Sequence, residues 1–355
     1  MSTPTPGTPA SPKPAAEQAQ PSALKALLRH RLVWPILALV LVLIVDAIIS
    51  PGFFQIRIVQ GRLFGNLIDI LYRGMPPAMI ALGMAVVIST KGIDLSVGSI
   101  IAVTGAVMAW RIHEGDSHYV ILLTALCVGL ACGLWNGFLV SVLEIQPIIA
   151  TLILMVSGRG IGLMINLLYG GTNPSFTSPL LQGLSTGNLG LVPTRLVVGA
   201  VMIVLVWLLV RRTAFGLFLE SVGGNAKSAW LSGVSSRLIL LSAYLISGLM
   251  TAVAAIILTA DTHTSDPVTS GLYSELDAIL AVVIGGGSLA GGRIYLDGTI
   301  IGVLVIQALT TSILTSGLPP EYNLVVKAVV VLIVLLLQSA NTRAAVVSLL
   351  ARRKG

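Results

Sequence analysis

The chain has 355 residues, of which 55% are hydrophobic and only 10% are charged. A soluble domain carries about 25% charged residues, so this composition excludes an ordinary soluble protein and indicates an integral membrane protein. The net charge of +7 does not require a nucleic-acid partner, because the basic residues lie beside apolar stretches, as the positive-inside bias predicts. The strict alternation of an outer-membrane barrel is absent. We therefore expect an all-α, polytopic transmembrane helical bundle.

The first segment of the chain, residues 1–22, is rich in Pro, Ala, Ser and Thr. They belong to a predicted disordered cytoplasmic tail at 1–30. A transmembrane domain is expected at 31–341, followed by a basic cytoplasmic tail at 342–355. No cleavable signal peptide is expected, because the first apolar run starts near Val33 and continues to full span length. The predicted spans, about ten in number, are 32–50, 75–90, 93–110, 119–143, 147–168, 193–210, 237–260, 276–292, 296–315 and 322–340.

The distribution of basic residues predicts the orientation of the spans. With the N-terminus inside, most of the 21 lysines and arginines fall at span ends that face the cytoplasm, so both termini are expected there. On the outer side, loops 51–74 and 169–192 are long and rich in Gly, Pro, Asn and Ser. On the inner side, only the stretch 211–237 is substantial.

Charged and glycine residues interrupt an apolar region at 90–100, with the sequence TKGIDLSVGSI. One interpretation is structural: Asp94 and Ser96 cap the exposed N–H groups of the next helix, and Lys91 pairs with Asp94 at the membrane edge. The other is that residues 92–98 form a broken-helix segment beside a path through the membrane or its cytoplasmic gate. Non-helical backbone survives at membrane depth only where protein buries it or water reaches it. The sequence leaves both interpretations open.

Uncharged polar groups lie near the fourth and fifth predicted spans, and acidic groups head the eighth. Asn136 within a span more often bridges helices than touches a ligand, yet Asn136, Gln146 and Thr151 are also groups that bind hydroxyls without trapping an ion. Glu275 and Asp277 suit the positive N-terminal end of a helix; alternatively, they contact a partner protein or line the entrance of the path. The candidate path residues are Asp94, Ser96, Asn136, Gln146, Thr151, Glu275 and Asp277.

The sequence lacks the motifs of several kinds of catalytic and ion-coupling site. No Gly-Lys dipeptide occurs, so there is no nucleotide-binding loop of the Walker A type. The segment 285–293, GGGSLAGGR, instead fits close helix packing and a flexible turn. No HExxH motif is present, and no span centre carries a cluster of carboxylates, which argues against a proton-coupled carrier. No catalytic residue, metal site or cofactor is predicted, so an external energy source would fit.

The inner loop has the residue pattern of a folded element, RRTAFGLFLESVGGNAKSAWLSGVSSR at 211–237. Asn225 is a good N-cap and Gly233 a good C′ residue, and the two bracket a helix of about two turns. Trp230 and Leu231 give this helix an apolar edge. The edge lies either on the lipid headgroups, where Trp is common, or in a groove of a cytoplasmic partner. The residues alone leave both interpretations open.

Four ordered motifs together resemble the permease subunits of bacterial ribose- and xylose-type ATP-binding-cassette (ABC) sugar importers. They are GIDLSVGSIIAVTGAVMA (92–109), GGNAKSAWLSGV (223–234), ELDAILAVVIGGGSLAGGR (275–293) and VVKAVVVLIVLLLQ (325–338). The resemblance covers nearly everything between about residues 30 and 340. Two further segments, at 61–84 and 317–331, look most like the permeases of the galactofuranose importer.

The resemblance implies a permease subunit of the bacterial inner membrane that is not itself an enzyme. It would pass a neutral, galactofuranose-like monosaccharide from a periplasmic binding protein to the cytoplasm, with ATP hydrolysed by a separate ATPase subunit. A second permease, either a homologous partner or another copy of this chain, would complete the path. The inner loop is then expected to couple to the ATPase through Glu220, Gly223, Gly224, Asn225, Trp230, Leu231 and Gly233. In this hypothesis Glu220 begins the element, and Gly224 resists bulky replacement if its φ is positive.

Two other functions are open on the residues alone. A stand-alone, ion-coupled secondary sugar transporter would move sugar without an ATPase. A membrane-embedded transferase needs paired acids at a membrane face, and Asp261 and Asp266 are the nearest candidates, although their loop looks solvated.

Overall fold

The computed structural model describes residues 32–338 except 51, 60, 170, 318, 320 and 321. The predicted tails at 1–30 and 342–355 lie outside the described residues. The elements in chain order are α1 (Val33–Ile49), β1 (Arg57–Val59), β2 (Arg62–Phe64), α2 (Asn66–Ser89), α3 (Val97–His113), α4 (His118–Ser141), α5 (Pro147–Tyr169), α6 (Pro179–Ser185), β3 (Asn188–Leu189), β4 (Val192–Pro193), α7 (Thr194–Arg212), α8 (Ala214–Leu231), α9 (Ser236–Thr262), α10 (Ser274–Ile284), α11 (Leu296–Thr315) and α12 (Tyr322–Gln338).

The helices differ in their capacity to cross a membrane. Six of them, α2, α4, α5, α7, α9 and α11, are long and apolar enough to cross by length and composition. The apolar helices α1 and α3 are shorter, with 17 residues each. Helix α10 has 11 residues, about 16 Å, roughly half the thickness of the hydrocarbon core. The all-helical, multi-pass prediction is thus confirmed, whereas the count of ten spans is not.

The predicted span at 276–292 differs most from the structure. Its helix ends at Ile284, and residues 285–295 form a linker with successive turns. Hydropathy did not reveal this end, because the glycines of the linker do not lower the apolar character of the segment. Each of the ten predicted segments does contain a helix.

The core lies around α2, α9 and α11. In the most apolar window of each helix, 72% of residues are buried in α2 and 61% in both α9 and α11, against 33%, 28% and 22% in α4, α5 and α7. Large apolar side chains on the outer helices remain exposed in the chain alone, as expected where lipid is the solvent. Within the described part of the chain, the sheets are two short antiparallel hairpins, β1–β2 and β3–β4.

Small residues allow α4 and α9 to pack at the level of their backbones. A Cβ added at Gly129 would lie 2.5 Å from the Gly248 carbonyl oxygen, and one at Gly133 would lie 2.5 Å from the Tyr244 carbonyl oxygen. This is the small-residue packing by which membrane helices associate, because no hydrophobic force drives one helix onto another in lipid. We call these contacts the α4–α9 seam.

The two ends of the bundle carry different structures. The hairpins and α6 lie at one end, which we call the hairpin end. Helix α8 and the linkers 90–96 and 285–295 lie at the other, which we call the α8 end. Both linkers precede a helix that starts within the protein, α3 and α11. The broken-helix character expected of the 92–98 segment is therefore present as a non-helical linker.

Candidate functional site

Asp94 is the centre of a buried polar network between three helices. Its side chain lies in the 90–96 linker with 0% exposure. Oδ1 accepts hydrogen bonds from the Ser96 backbone N–H (3.0 Å) and the Ser96 hydroxyl (2.6 Å), and Oδ2 accepts one from the Ser247 hydroxyl of α9 (2.8 Å). Asn136 of α4 donates its Nδ2–H to Ser96 Oγ (2.7 Å). We call Asp94, Ser96, Asn136 and Ser247 the Asp94 network.

The expected ion pair between Lys91 and Asp94 is wrong. Lys91 is exposed, and its Nζ donates instead to the carbonyl oxygen of Gly224 in α8 (3.1 Å). Ser96 is the N-cap of α3 but makes no side-chain cap bond. Of the backbone N–H groups of the described residues, the Asp94 carboxylate accepts only that of Ser96. Among the described residues, neutral donors surround Asp94. Because a buried carboxylate is costly unless hydrogen-bonded, the network holds the three helices together.

Thr151 connects the 90–96 linker to α5 through hydrogen bonds. Its Oγ1 accepts from the Leu95 backbone N–H (3.1 Å) and lies 3.0 Å from the Pro147 carbonyl oxygen and 3.2 Å from that of Ile93. Asp94, Ser96, Asn136 and Thr151, four of the candidate path residues, therefore lie around the same linker. Gln146 does not join them and is exposed.

Two residues that the sequence analysis missed belong to this region. Ser247 supplies a donor to Asp94. The Tyr244 hydroxyl is buried without a partner in the described structure, and a Cβ added at Gly92 would lie 2.6 Å from it. The Oδ1 atom of Asn136 is also buried and unpartnered among the described residues. No local sequence signal marks Ser247 or Tyr244, since both reach the linker from a helix 150 residues further along the chain.

Glu275 and Asp277 occupy different surroundings in the first turn of α10. Glu275 is buried. A Cβ added at Gly98 of α3 would lie 2.9 Å from Glu275 Oε2 and 3.1 Å from Arg159 Nη2. Asp277 forms an ion pair with Lys327 of α12 (2.8 Å). Both acids lie in the first turn of the helix, as the dipole interpretation predicted. The groups beside them differ, Arg159 and Gly98 for Glu275 and Lys327 for Asp277.

Arg159 organises the loop between α9 and α10. Its Nη1 donates to the carbonyl oxygens of Pro267 (2.9 Å), Val268 (2.9 Å) and Ser270 (3.3 Å). In the same loop, burial opposes ionisation of Asp266, but hydrogen bonds from Thr269 and from the backbone of Val268, together with the Arg159 charge, lower the pKa of Asp266. Arg159 therefore anchors backbone that would otherwise lack partners within the bundle.

The capping pattern predicted for the inner loop is confirmed. Asn225 leaves helical conformation (φ −153°, ψ 99°), and its Oδ1 accepts the backbone N–H of Ser228 (3.0 Å), so it caps the second part of α8. At the other end Gly233 has φ +87°, its N–H reaches the Trp230 carbonyl (2.9 Å), and the N–H of Val234 reaches that of Ala229 (3.0 Å). These two bonds form a Schellman motif.

An apolar edge lies open on this capped helix. Trp230 is 65% exposed and Leu231 is 71% exposed, and Leu217 in the first part of α8 is 68% exposed. Glu220 does not begin the element, because α8 starts at Ala214. Exposed leucine side chains therefore occur in both parts of α8.

The two neighbouring glycines of α8 behave in opposite ways. Gly224 does not have a positive φ, so the condition under which it was expected to resist bulky replacement is not met, and a Cβ added there would meet nothing within 4 Å. A Cβ at Gly223 would lie 1.8 Å from the carbonyl oxygen of Ser89. The sequence pair Gly-Gly cannot show which member faces another segment.

Comparison with known proteins finds a permease family and individual permeases that match this chain. The model of the family described as branched-chain amino acid transport system / permease component matches residues 66–335. The galactofuranose transporter permease protein YtfT of Escherichia coli (strain K12) is 49% identical over 316 residues, 88% of this chain and 92% of the relative.

Two further relatives are sugar permeases. The fructose import permease protein FruF of Bifidobacterium longum (strain NCC 2705) is 38% identical, over 89% of this chain and 90% of the relative. The ribose import permease protein RbsC of E. coli (strain K12) is 35% identical, over 86% and 92%. No solved structure matches the chain. The resemblance drawn from the motifs is confirmed, and the chain belongs to the permease family described as branched-chain amino acid transport system / permease component, as a transport protein of the membrane rather than an enzyme.

Proposed function

We propose that this chain is the transmembrane permease subunit of an ABC importer that moves a neutral, galactofuranose-like monosaccharide into the cytoplasm. The observation that carries this proposal is the 49% identity to a galactofuranose permease over 88% of the chain and 92% of the relative. Two more relatives are import permeases for fructose and ribose. The uncharged groups near the 90–96 linker, such as Asn136 and Thr151, suit a substrate that offers hydroxyls.

The protein would cross the bacterial inner membrane about ten times, with both termini in the cytoplasm. The α8 end then faces the cytoplasm and the hairpin end faces the periplasm, in keeping with the basic residues Arg211 and Arg212 at the end of α7. A reporter fused after Lys354 is expected to be active in the cytoplasm, and one placed within 171–192 is expected to report the outer face. A periplasmic C-terminus would contradict this topology.

The partners follow from the same assignment. An ABC ATPase would dock at the α8 end, and a periplasmic sugar-binding protein would deliver the monosaccharide at the hairpin end. A second permease, homologous or identical to this chain, would complete the path within the lipid bilayer. Glu275 and Asp277 would lie toward the entrance side, and Asp94, Ser96, Asn136, Gln146 and Thr151 toward the cytoplasmic side.

Helix α8 would be the element that couples to the ATPase. Glu220, Gly223, Gly224, Asn225, Trp230, Leu231 and Gly233 lie within it or at its end. Its caps keep it rigid, as a part that transmits displacement must be. Its exposed Trp230 and Leu231 form an apolar edge of the kind that concentrates binding energy when a partner buries it.

The test is transport in proteoliposomes that contain this chain with its co-purified ATPase and binding protein. Labelled galactofuranose is expected to enter only with ATP, and an excess of a neutral monosaccharide should compete, whereas an amino acid should not. A secondary transporter predicts the opposite: uptake by the chain alone under a proton or sodium gradient. Such uptake without ATPase would refute the proposal.

A further inference from the structure

The carbonyl group of Ser89, the last residue of α2, is a point where three segments meet. Its oxygen accepts a hydrogen bond from the backbone N–H of Gly292 in the 285–295 linker (2.8 Å). The same oxygen lies against Gly223 of α8, where an added Cβ would be only 1.8 Å away. The end of α2, the linker and α8 therefore touch through backbone atoms.

Side chains add two more connections between α8 and the linkers. Glu220 Oε1 accepts the backbone N–H of Ile294 (3.1 Å). Lys91 donates its Nζ–H to the carbonyl oxygen of Gly224 (3.1 Å). We call the contacts of Ser89, Glu220, Gly223, Gly292 and Ile294 the Ser89 junction.

The 90–96 linker joins this junction to the Asp94 network. It starts next to Ser89, and its far end is held by the hydrogen bonds of Asp94 to Ser247 and of Leu95 to Thr151. Between the two fixed points stands Lys91 at φ +67°, a backbone conformation that side chains other than glycine adopt infrequently. Only a few backbone residues therefore separate the Ser89 junction from the start of α3, so a displacement of the junction is expected to move α3.

We infer that Gly223 and Glu220 are positioning residues through which a displacement of α8 moves the starts of α3 and α11. The inference rests on the proposed function, in which the ATPase moves α8. Packed interfaces transmit strain because they are nearly incompressible, and coupling between sites travels through contacts that are physically continuous. The junction provides such contact to both linkers, and each linker leads directly into one of the two helices.

The first test compares Gly223→Ala with Gly160→Ala in the complete complex with ATPase and binding protein. Gly160→Ala is a matched control, because Gly160 is an exposed glycine of α5, outside α8, and a Cβ added there would meet nothing within 4 Å. For Gly223→Ala we expect ATPase association as in wild type, since the apolar edge is unchanged. Maximal uptake should fall at least about tenfold, within the usual range of coupling between sites, and stimulation of ATP hydrolysis by loaded binding protein should fall with it. The sugar concentration for half-maximal uptake should not change.

A second pair keeps the inference testable if Gly223→Ala fails to reach the membrane. Glu220→Ala removes the acceptor for the Ile294 N–H, whereas Glu220→Gln retains an Oε1 acceptor. Uptake and stimulated ATP hydrolysis should fall in Glu220→Ala and be restored in Glu220→Gln.

Wild-type coupling in both Gly223→Ala and Glu220→Ala would overturn the inference and leave the proposed function standing. Loss of ATPase association in Gly223→Ala would also overturn it, because the residue would then act in docking. A wild-type chain that binds no ATPase would contradict the proposed function itself.

Discussion

The Asp94 network and the apolar edge of α8 reverse the usual placement of side chains. In the network a carboxylate is fully buried, and neutral donors from the 90–96 linker and from α9 satisfy it. On α8 an indole and a leucine are largely exposed at the end of the bundle. A buried polar group whose hydrogen bonds are satisfied needs no partner outside the chain. An exposed apolar edge on a capped helix, in contrast, is buried only when another surface covers it. The comparison separates what the chain does alone from what it does with a partner.

The largest effect is expected from removing the Asp94 carboxylate. Asp94→Leu leaves the Ser96 and Ser247 donors buried without an acceptor, which should destabilise the protein by about 3 kcal/mol. The apparent melting temperature of the purified protein in detergent should fall accordingly. Asp94→Asn, which retains one acceptor oxygen, is the control and should lose clearly less. Equal melting of Asp94→Leu and wild type would show that the network does not hold the helices.

Next in size is the loss of the indole from the α8 edge. Trp230→Ala should weaken association with the ATPase by about 2 kcal/mol, roughly a 30-fold rise in Kd, without lowering thermal stability of the isolated chain. The control is Tyr119→Ala, a still more exposed aromatic residue (86%) at the start of α4, at the hairpin end. If both variants bind the ATPase as wild type does, the edge is an interfacial surface that lies on lipid.

A smaller effect is expected from a single donor of the network. Ser247→Ala removes one of the hydrogen bonds to Asp94 and should cost about 1 kcal/mol of stability. Ser242→Ala is a matched control on α9, because Ser242 is half-buried and, among the described residues, its hydroxyl bonds only to the carbonyl of Leu238 one turn earlier. Thermal denaturation of the two variants side by side measures the difference. Equal loss in both would mean that the Asp94 contact contributes nothing specific.

The smallest effect concerns the cap of α8. Asn225→Ala should destabilise the second part of the helix by about 1 kcal/mol, with little change in global melting. Hydrogen exchange of the Ser228 backbone amide is the direct measurement, and Asn225→Asp, which keeps an oxygen acceptor, should preserve its protection. Unchanged exchange in Asn225→Ala would mean that the cap bond does not order this turn.

Local features were predictable from the sequence, and distant contacts were not. The caps Asn225 and Gly233 depend on residues within one turn, so their pattern was enough. The partner of Asp94 was misassigned to Lys91 because the real donor, Ser247, lies 153 positions away. Gly224 rather than Gly223 was singled out as the constrained glycine for the same reason, since the deciding atom belongs to Ser89 in another helix. Neighbouring residues cannot reveal which helix will face them.

The α4–α9 seam has a consequence for spectroscopy. Backbone atoms of Gly129 and Gly133 lie directly against those of Gly248 and Tyr244. Because sliding would bring larger side chains into this contact, we expect α4 and α9 to move as one body. A pair of spin labels on the exposed faces of these two helices should keep a constant separation through every nucleotide state. Such a pair is an internal ruler, and motion of α3 or α11 can be read against it.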